Sequence, residues 1–575
     1  MKPTSCIGFL LGLLFLPMAL IAQDRPFFKN HPQINPFEYS IVKEQTFQKA
    51  AVSSAHPLAS LVGAAVMKEG GNAFDAAIAV HFTLAVVYPA AGNLGGGGFL
   101  LSRNPEGALL AVDFRETAPS NAHRDMYLDE QGQPVENLSS VGVSSSGVPG
   151  SVAGMLSILP YATLSVQALL QPAYELAAYG FVLTEREARG LNAERKELLQ
   201  NSAMPSAFTR RAHWKAGDTL VQPELAGTLD RIQQKGQAGF YEGETAALIV
   251  EEMKHSQGFI SLDDLKQYTP HLRKPVAFDY RGYHIIGFPP PSSGGILIAQ
   301  MLQMLDPYPM GTMGSNTPES VSLMVEVQRR AYADRAEHMG DPDFWDVPTS
   351  LLTSYVYAQE RMRDYRPGKA GKSESIRAGI AKESEQTTHF SVVDALGTLV
   401  SVTTTLNDSY GCKTVVGGAG FLLNNEMDDF SIKPGVPNMY GAIGGEANSI
   451  RAGKRMLSSM APTLVTKNNQ PFLTIGTPGG TTIPNQVCEG LIHIIDHKMT
   501  LQEAVEAPRF HHQWIPDVVF VEPGFPEVTV LALEEKGYTV KRRGPFGSLD
   551  GVLILPNGHR NAVGDKRGDD SVAGY

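Results

Sequence analysis

Cysteine is nearly missing from this 575-residue chain, which has only Cys6, Cys412 and Cys488. Three cannot build a disulfide framework, and without a CxxC pair there is no zinc signature either. Basic charge is short as well. Lys and Arg number 48 against 59 Asp and Glu, a net charge of −11, which excludes the positive footprint that nucleic acid or an anionic membrane needs. No fixed-period repeat is present, so solenoids and propellers fall away. Several catalytic signatures are missing too. Gly371-Lys372-Ser373 ends like a phosphate-binding loop, but Arg366 stands where its leading Gly belongs. There is no HExxH and no GxSxG, and Ser144-Ser145-Ser146 reads as a polar loop. His511 and His512 are adjacent and diverge on either regular element, which favours a core or interface role over joint metal ligation.

What is there is an acidic globular protein, 43% hydrophobic and 19% charged, with a leader. Lys2 supplies a positive start, residues 7–21 are apolar but broken by Pro17, and Ala22 offers signal peptidase a small residue. The stretch is short for a membrane span. We read residues 1–22 as a signal peptide and the product as periplasmic or secreted, a retained anchor being the alternative. Cys412 and Cys488 then remain, either paired or as two buried thiols.

Along the mature chain, Pro57 opens a helix whose apolar stripe is Leu58, Leu61, Val62, Ala65 and Val66. Gly70-Gly71 stops it and Asn72 caps the next. That second helix, 73–87, is apolar nearly all round and therefore buried. Gly95-Gly96-Gly97-Gly98 leads into a strand at Phe99-Leu100-Leu101. Lacking a strand before and a helix after, these glycines read as close backbone packing rather than a phosphate cradle. Residues 149–363 are mostly helical, with strands near 277–286. Residues 366–386 are rich in Lys, Gly, Ser and Glu, and are expected to be exposed and mobile. Beyond them the pattern turns to β. Phe390, Val392, Val400 and Val402 alternate on two strands, and Ala395-Leu396-Gly397 has the form of a three-residue hairpin loop. Pairing Asp394 with Thr398 places Thr405 across from Thr387, to within one residue.

Thr387-Thr388-His389-Phe390-Ser391-Val392-Val393-Asp394 resembles the start of the small subunit of γ-glutamyltranspeptidases. Five further blocks agree in order. They are Gly92-Asn93-Leu94-Gly95-Gly96-Gly97-Gly98-Phe99, Asp113-Phe114-Arg115-Glu116-Thr117-Ala118-Pro119 and Asn424-Asn425-Glu426-Met427-Asp428-Asp429-Phe430. Lys454-Arg455-Met456-Leu457-Ser458-Ser459-Met460 and Thr477-Pro478-Gly479-Gly480 complete the set. The resemblance runs from about Ala51 to the C-terminus. It implies an α/β N-terminal-nucleophile hydrolase, an αββα sandwich of two chains from one autocleaved precursor. The cut would fall at Gln386–Thr387, giving a large subunit 23–386 and a small subunit 387–575. Before cleavage the Thr387 hydroxyl attacks the preceding carbonyl, and an N-to-O acyl shift leaves a hydrolysable ester. Afterwards the hydroxyl lies beside a free α-amine, whose pKa of about 8 makes it a usable base.

Other family positions carry over with physical sense. Thr405 matches a second threonine that hydrogen-bonds the nucleophile. Gly479 and Gly480 match the oxyanion hole, where backbone N–H groups must come close. Arg115 matches the arginine that binds a substrate α-carboxylate, and Ser458 and Ser459 match further donors to it. Asp429 matches the acceptor for the α-ammonium, with Asn407 and Glu426 beside it. Residues 433–455, including Tyr440, correspond in position to a lid loop. The implied activity is an exported γ-glutamyltransferase and glutathione hydrolase with no metal or organic cofactor. Its substrates would be glutathione and related γ-glutamyl compounds, with water, amino acids or dipeptides as acceptors, and its partners its own two subunits. Cephalosporin (glutaryl) acylase and poly-γ-glutamate hydrolase are rivals on the same scaffold. A catalytically silent γ-glutamyl-peptide binding protein is a rival of another class.

Overall fold

The computed structural model describes residues 26–376, 387–433, 435–436 and 444–575. The leader 1–22, Gln386 and Tyr440 lie outside the described residues. Two antiparallel sheets of seven strands each are stacked face to face. One runs in the order Glu44–Phe47, Arg560–Val563, Asp550–Ile554, Gln470–Gly476, Thr463–Lys467, Tyr283–Gly287, Val276–Tyr280. The other runs Ser571–Gly574, Ala51–Ser54, Thr388–Val393, Leu399–Thr405, Gly97–Arg103, Leu109–Asp113, His271–Arg273. Helices Pro57–Lys68 and Ala73–Val87 cover the outer face of this second sheet, burying Val52, Leu100, Val392 and Val402. Helices Gly294–Leu305 and Ile483–Ile495 cover the first over Ile285, Val465 and Leu473, and Pro318–His338 packs on Gly294–Leu305. This is the αββα sandwich that the resemblance implies.

Local chemistry accounts for the elements that frame the site. Pro57 sits in the first turn, where its missing N–H costs nothing. Asn72 and Asp75 form a reciprocal capping box, and every residue of Ala73–Val87 is buried. The glycine run packs backbone against backbone. A Cβ on Gly96 would lie 2.0 Å from the Thr405 carbonyl oxygen, and one on Gly98 would lie 2.4 Å from that of Thr403.

The hairpin has the expected register: Thr388 faces Thr404, and Phe390 faces Val402. Its turn is held by Asp394, whose Oδ1 accepts from the N–H of Leu396 at 3.0 Å and of Thr398 at 2.9 Å. Gly397 takes the left-handed conformation with φ 90°. The two-residue period then sends Phe390, Val392, Val400 and Val402 toward the helices. His389 turns between the sheets, its ring nitrogens 2.9 Å from Thr403 Oγ1 and 3.1 Å from Ser391 Oγ. Burial lowers its pKa to about 3, so the ring stays neutral.

One expectation needs correction. The segment 366–386 was expected to be exposed throughout, yet Ser373 and Ile376 are buried. Trp514 Nε1 donates to the carbonyls of Ser373 at 3.0 Å and Ile376 at 2.6 Å, and Ser373 N donates to Asp517 Oδ2 at 2.8 Å. Backbone groups make most of these anchors, and composition does not report on backbone groups. Residues 377–386 lie outside the described residues. His511 and His512 enter the core with separate partners, Asn485 and Gln513 for one and Asp517 for the other. Cys412 and Cys488 are free and buried. No helix among the described residues is long and apolar enough to cross a membrane.

Candidate active site

Thr387 directly precedes its strand and is buried, 5% exposed. Its Oγ1 donates to Thr405 Oγ1 at 3.4 Å, and Asn407 N donates to the same Thr405 oxygen at 2.7 Å. Around this open end of the hairpin gather three short segments from the C-terminal third of the chain. They are the turn Glu426–Asp429, the pair Ser458 and Ser459, and the turn Gly480–Thr482. Arg115, just beyond the strand Leu109–Asp113, completes a narrow polar cleft. Every sequence-derived candidate among the described residues lines this cleft except Gly479, which sits directly behind Gly480.

Arg115 is fully buried and surrounded. Its Nε donates to Met456 O at 3.3 Å, and one terminal nitrogen reaches Asp429 Oδ2 at 2.5 Å and Leu457 O at 3.4 Å. The other terminal nitrogen is 2.5 Å from Glu426 Oε2 and 3.4 Å from Glu116 Oε2. Four hydrogen bonds and the close ion pair with Glu426 therefore surround the guanidinium. The three carboxyls crowd one another. Burial pushes Glu116 up to about 7, and lifts Glu426 well above and Asp429 above the usual carboxylate range, against the pull of Arg115.

The glycine turn presents donors. Gly479 and Gly480 have φ 134° and 55°, in the region that favours glycine. Among the described residues, their N–H groups donate to no acceptor. The turn continues into the helix Ile483–Ile495, so the positive end of a helix dipole points the same way. Thr482 Oγ1 donates to Gly479 O at 2.7 Å and Tyr332 OH donates to Thr481 O, which pins the turn's carbonyls away from the cleft.

Sequence reasoning missed Arg335, Asn448 and Thr481, all of which line the cleft. Arg335 lies on the helix Pro318–His338 among other arginines and looks like ordinary helix-surface charge. Asn448 Nδ2 donates to Asp429 O at 2.7 Å from the returning end of the 433–455 segment. Thr481 adjoins a recognised glycine pair, and that adjacency was the available signal.

The family model for gamma-glutamyltranspeptidase matches residues 59–575. The glutathione hydrolase proenzyme of Escherichia coli (strain K12) is 44% identical over 555 residues, 95% of this chain and 96% of that protein. An acylase ACY 1 proenzyme of Pseudomonas sp. (strain V22) is 34% identical over 527 residues, 90% of this chain and 92% of that one. Among solved structures, Helicobacter pylori gamma-glutamyltranspeptidase matches with a TM-score of 0.55 and 39% identity, over 60% of this chain and 97% of that one. The cephalosporin acylase of Bacillus halodurans shares the fold with a TM-score of 0.81 at 24% identity, over 94% of this chain and 98% of that one. With its fold, its threonine-ended hairpin and a family match across nearly the whole sequence, the chain belongs to the gamma-glutamyltranspeptidase family.

Proposed function

We propose that the chain is the precursor of an exported γ-glutamyltransferase and glutathione hydrolase that cuts itself between Gln386 and Thr387. One observation carries this reading: the Thr387 hydroxyl opens into the same cleft as the buried Arg115–Asp429 pair. A γ-glutamyl group has a carboxylate and an ammonium on one carbon, and that pair is its complement. In the empty site the two residues satisfy each other. A bound head group exchanges partners: its carboxylate takes the N–H that Asp429 gives up, and Asp429 takes its ammonium. One internal ion pair becomes two with the head group, so neither charge is left buried alone.

With the head fixed, Thr387 Oγ attacks the γ-carbonyl while the freed α-amine of Thr387 takes its proton. The tetrahedral oxyanion receives the N–H groups of Gly479 and Gly480. The proton passes to the leaving amine as the C–N bond breaks, and the acyl group stays on Thr387 as an ester. Water or an acceptor amine then attacks that ester, and the Thr387 oxygen leaves with its proton restored. His389 takes no part as a base, because both its nitrogens are engaged between the sheets.

The test is maturation followed by substrate choice. Wild-type protein should yield a fragment of about 20 kDa beginning Thr-Thr-His-Phe, by intact mass and N-terminal sequencing, while Thr387→Ala stays whole. An uncut wild-type band from folded protein would remove the α-amine and with it this mechanism. Hydrolysis of γ-glutamyl-p-nitroanilide should outpace that of a glutaryl-cephalosporin; the opposite order would move the chain to the acylase activity named for one of its relatives.

A further inference from the structure

In the resting cleft Arg115 is taken up by four hydrogen bonds and the ion pair with Glu426, so a carboxylate needs other donors as well. Ser458 and Ser459 present hydroxyls, and a hydroxyl has one proton and two lone pairs. Which role each plays depends on its neighbours. Arg335 can only donate, and its terminal nitrogen is 3.1 Å from Ser459 Oγ. Ser459 therefore accepts from inside the protein, and its own proton is left to point into the cleft. Met460 N donates to Ser458 Oγ at 3.2 Å with the same consequence for Ser458. Neither serine hydroxyl donates to an acceptor among the described residues.

The arginine also sets the backbone that carries these serines. Its Nε donates to Ser293 Oγ at 3.1 Å, and Ser293 in turn donates to Ser458 O through Oγ at 2.9 Å and through N at 2.7 Å. Arg335 thus grips Ser459 directly and Ser458 through one intermediate. It is itself buried, 7% exposed, and lines the cleft as a second cation whose field also reaches Asp429.

We propose that Arg335 determines specificity for the donor's α-carboxylate, as a positioning residue that fixes the Ser459 proton toward the cleft and supplies the cationic field behind it. The proposal rests on the γ-glutamyl reading above. It assigns to the helix Pro318–His338 a part in substrate choice that the carboxylate-binding arginine alone cannot play while its N–H groups are engaged.

The experiment compares γ-glutamyl-p-nitroanilide with its α-carboxamide analogue, the same size but neutral at the recognised position. Arg335→Gln should raise KM for the carboxylate donor about 10- to 100-fold, the scale of a lost hydrogen bond to a charged group, with kcat nearly unchanged. For the carboxamide, kcat/KM should stay within about threefold, because a neutral group draws little on a positive field. Ser459→Ala should show a selective loss of the same kind, and adding Arg335→Gln to it should cost less than Arg335→Gln costs alone, because only the cationic field then remains to be lost. Should Arg335→Gln fail to fold, Arg335→Lys and Ser459→Ala carry the comparison, the lysine keeping the charge but losing the fork and so showing a smaller selective rise in KM. Equal losses on both donors, or a fall in kcat at constant KM, would overturn the assignment and leave Arg335 a structural residue. Wild-type protein that does not favour the carboxylate donor would instead overturn the γ-glutamyl reading, and this inference with it.

Discussion

At the scale of single residues, the cleft is governed by who donates to whom. Thr405 Oγ1 accepts from both Thr387 and Asn407, so it aims the Thr387 oxygen and also closes the turn that follows its own strand. Thr405→Ala should therefore slow self-cleavage by about tenfold or more, while Thr405→Ser, which keeps the hydroxyl, should stay within about threefold of wild type. A time course of precursor loss on gels reads this, and equal rates for the two variants would show that the methyl group rather than the hydroxyl matters. Arg115 teaches a related lesson. Its residue type alone suggests a waiting receptor, but in the folded chain it already holds Asp429 and Glu426. On the proposed function, binding there is an exchange, and exchange is selective because a substrate lacking either charge strands a buried partner.

At the scale of elements, the hairpin carries the chemistry because its register cannot slip. One residue of slippage would turn Phe390 and Val392 between the sheets and His389 into the helix layer. The turn enforces this through Asp394, which also accepts from Ala73 N at 3.2 Å at the start of a buried helix. Asp394→Ala should cost about 2–3 kcal/mol by losing those charge-assisted bonds, measured by chemical denaturation. Gly397→Ala should cost about 1 kcal/mol, since only its positive φ is at stake and an added Cβ would meet nothing nearer than Pro471 Cγ at 3.4 Å. A larger loss at Gly397 than at Asp394 would mean that turn conformation, not the carboxylate, holds the register. Gly96 and Gly98 have the complementary role of letting the adjacent strand approach the hairpin at backbone distance.

At the scale of the whole molecule, the two sheets are joined along a seam containing buried acids. Ser53 Oγ of one sheet donates to Asp550 Oδ1 of the other at 3.1 Å, while among the described residues Asp550 Oδ2 and Asp570 Oδ2 have no hydrogen-bond partner. Asp565 stands close by, paired with Arg509 and Arg567, and Lys43 caps nearby carbonyls. Burial raises Asp570 to about 6, and burial together with Asp570 lifts Asp550 well above the usual carboxylate range. A carboxyl whose pKa rises on folding stabilises the fold at low pH, and the benefit is lost as pH climbs through the folded value. The melting temperature should therefore begin to fall above about pH 4, where these acids ionise only in the unfolded chain, and go on falling through about pH 6 as Asp570 ionises in the fold. It should fall less in Asp550→Asn, which replaces a protonated acid with a neutral amide. Calorimetry across that range checks it; parallel curves for the two proteins would place the loss elsewhere.

Much was legible in the sequence wherever neighbours in the chain are neighbours in space. Alternation and a three-residue loop are local, and they determined the hairpin, its register and the meeting of Thr387 with Thr405. Helix caps at Pro57 and Asn72 are local too. Ordered motifs determined the family, and with it the residues around the cleft. Only the tertiary structure decided what those residues do to one another. Two carboxyls from the distant turn Glu426–Asp429 join the neighbouring Glu116 around Arg115, and the helix Pro318–His338 turns Arg335 inward behind Ser459. The strand order places the C-terminal Ser571–Gly574 beside Ala51–Ser54. Periodicity and composition report which face of an element is buried. Hydrogen-bond direction and charge pairing depend on which other segment arrives at that face, and that is settled only when the two sheets close.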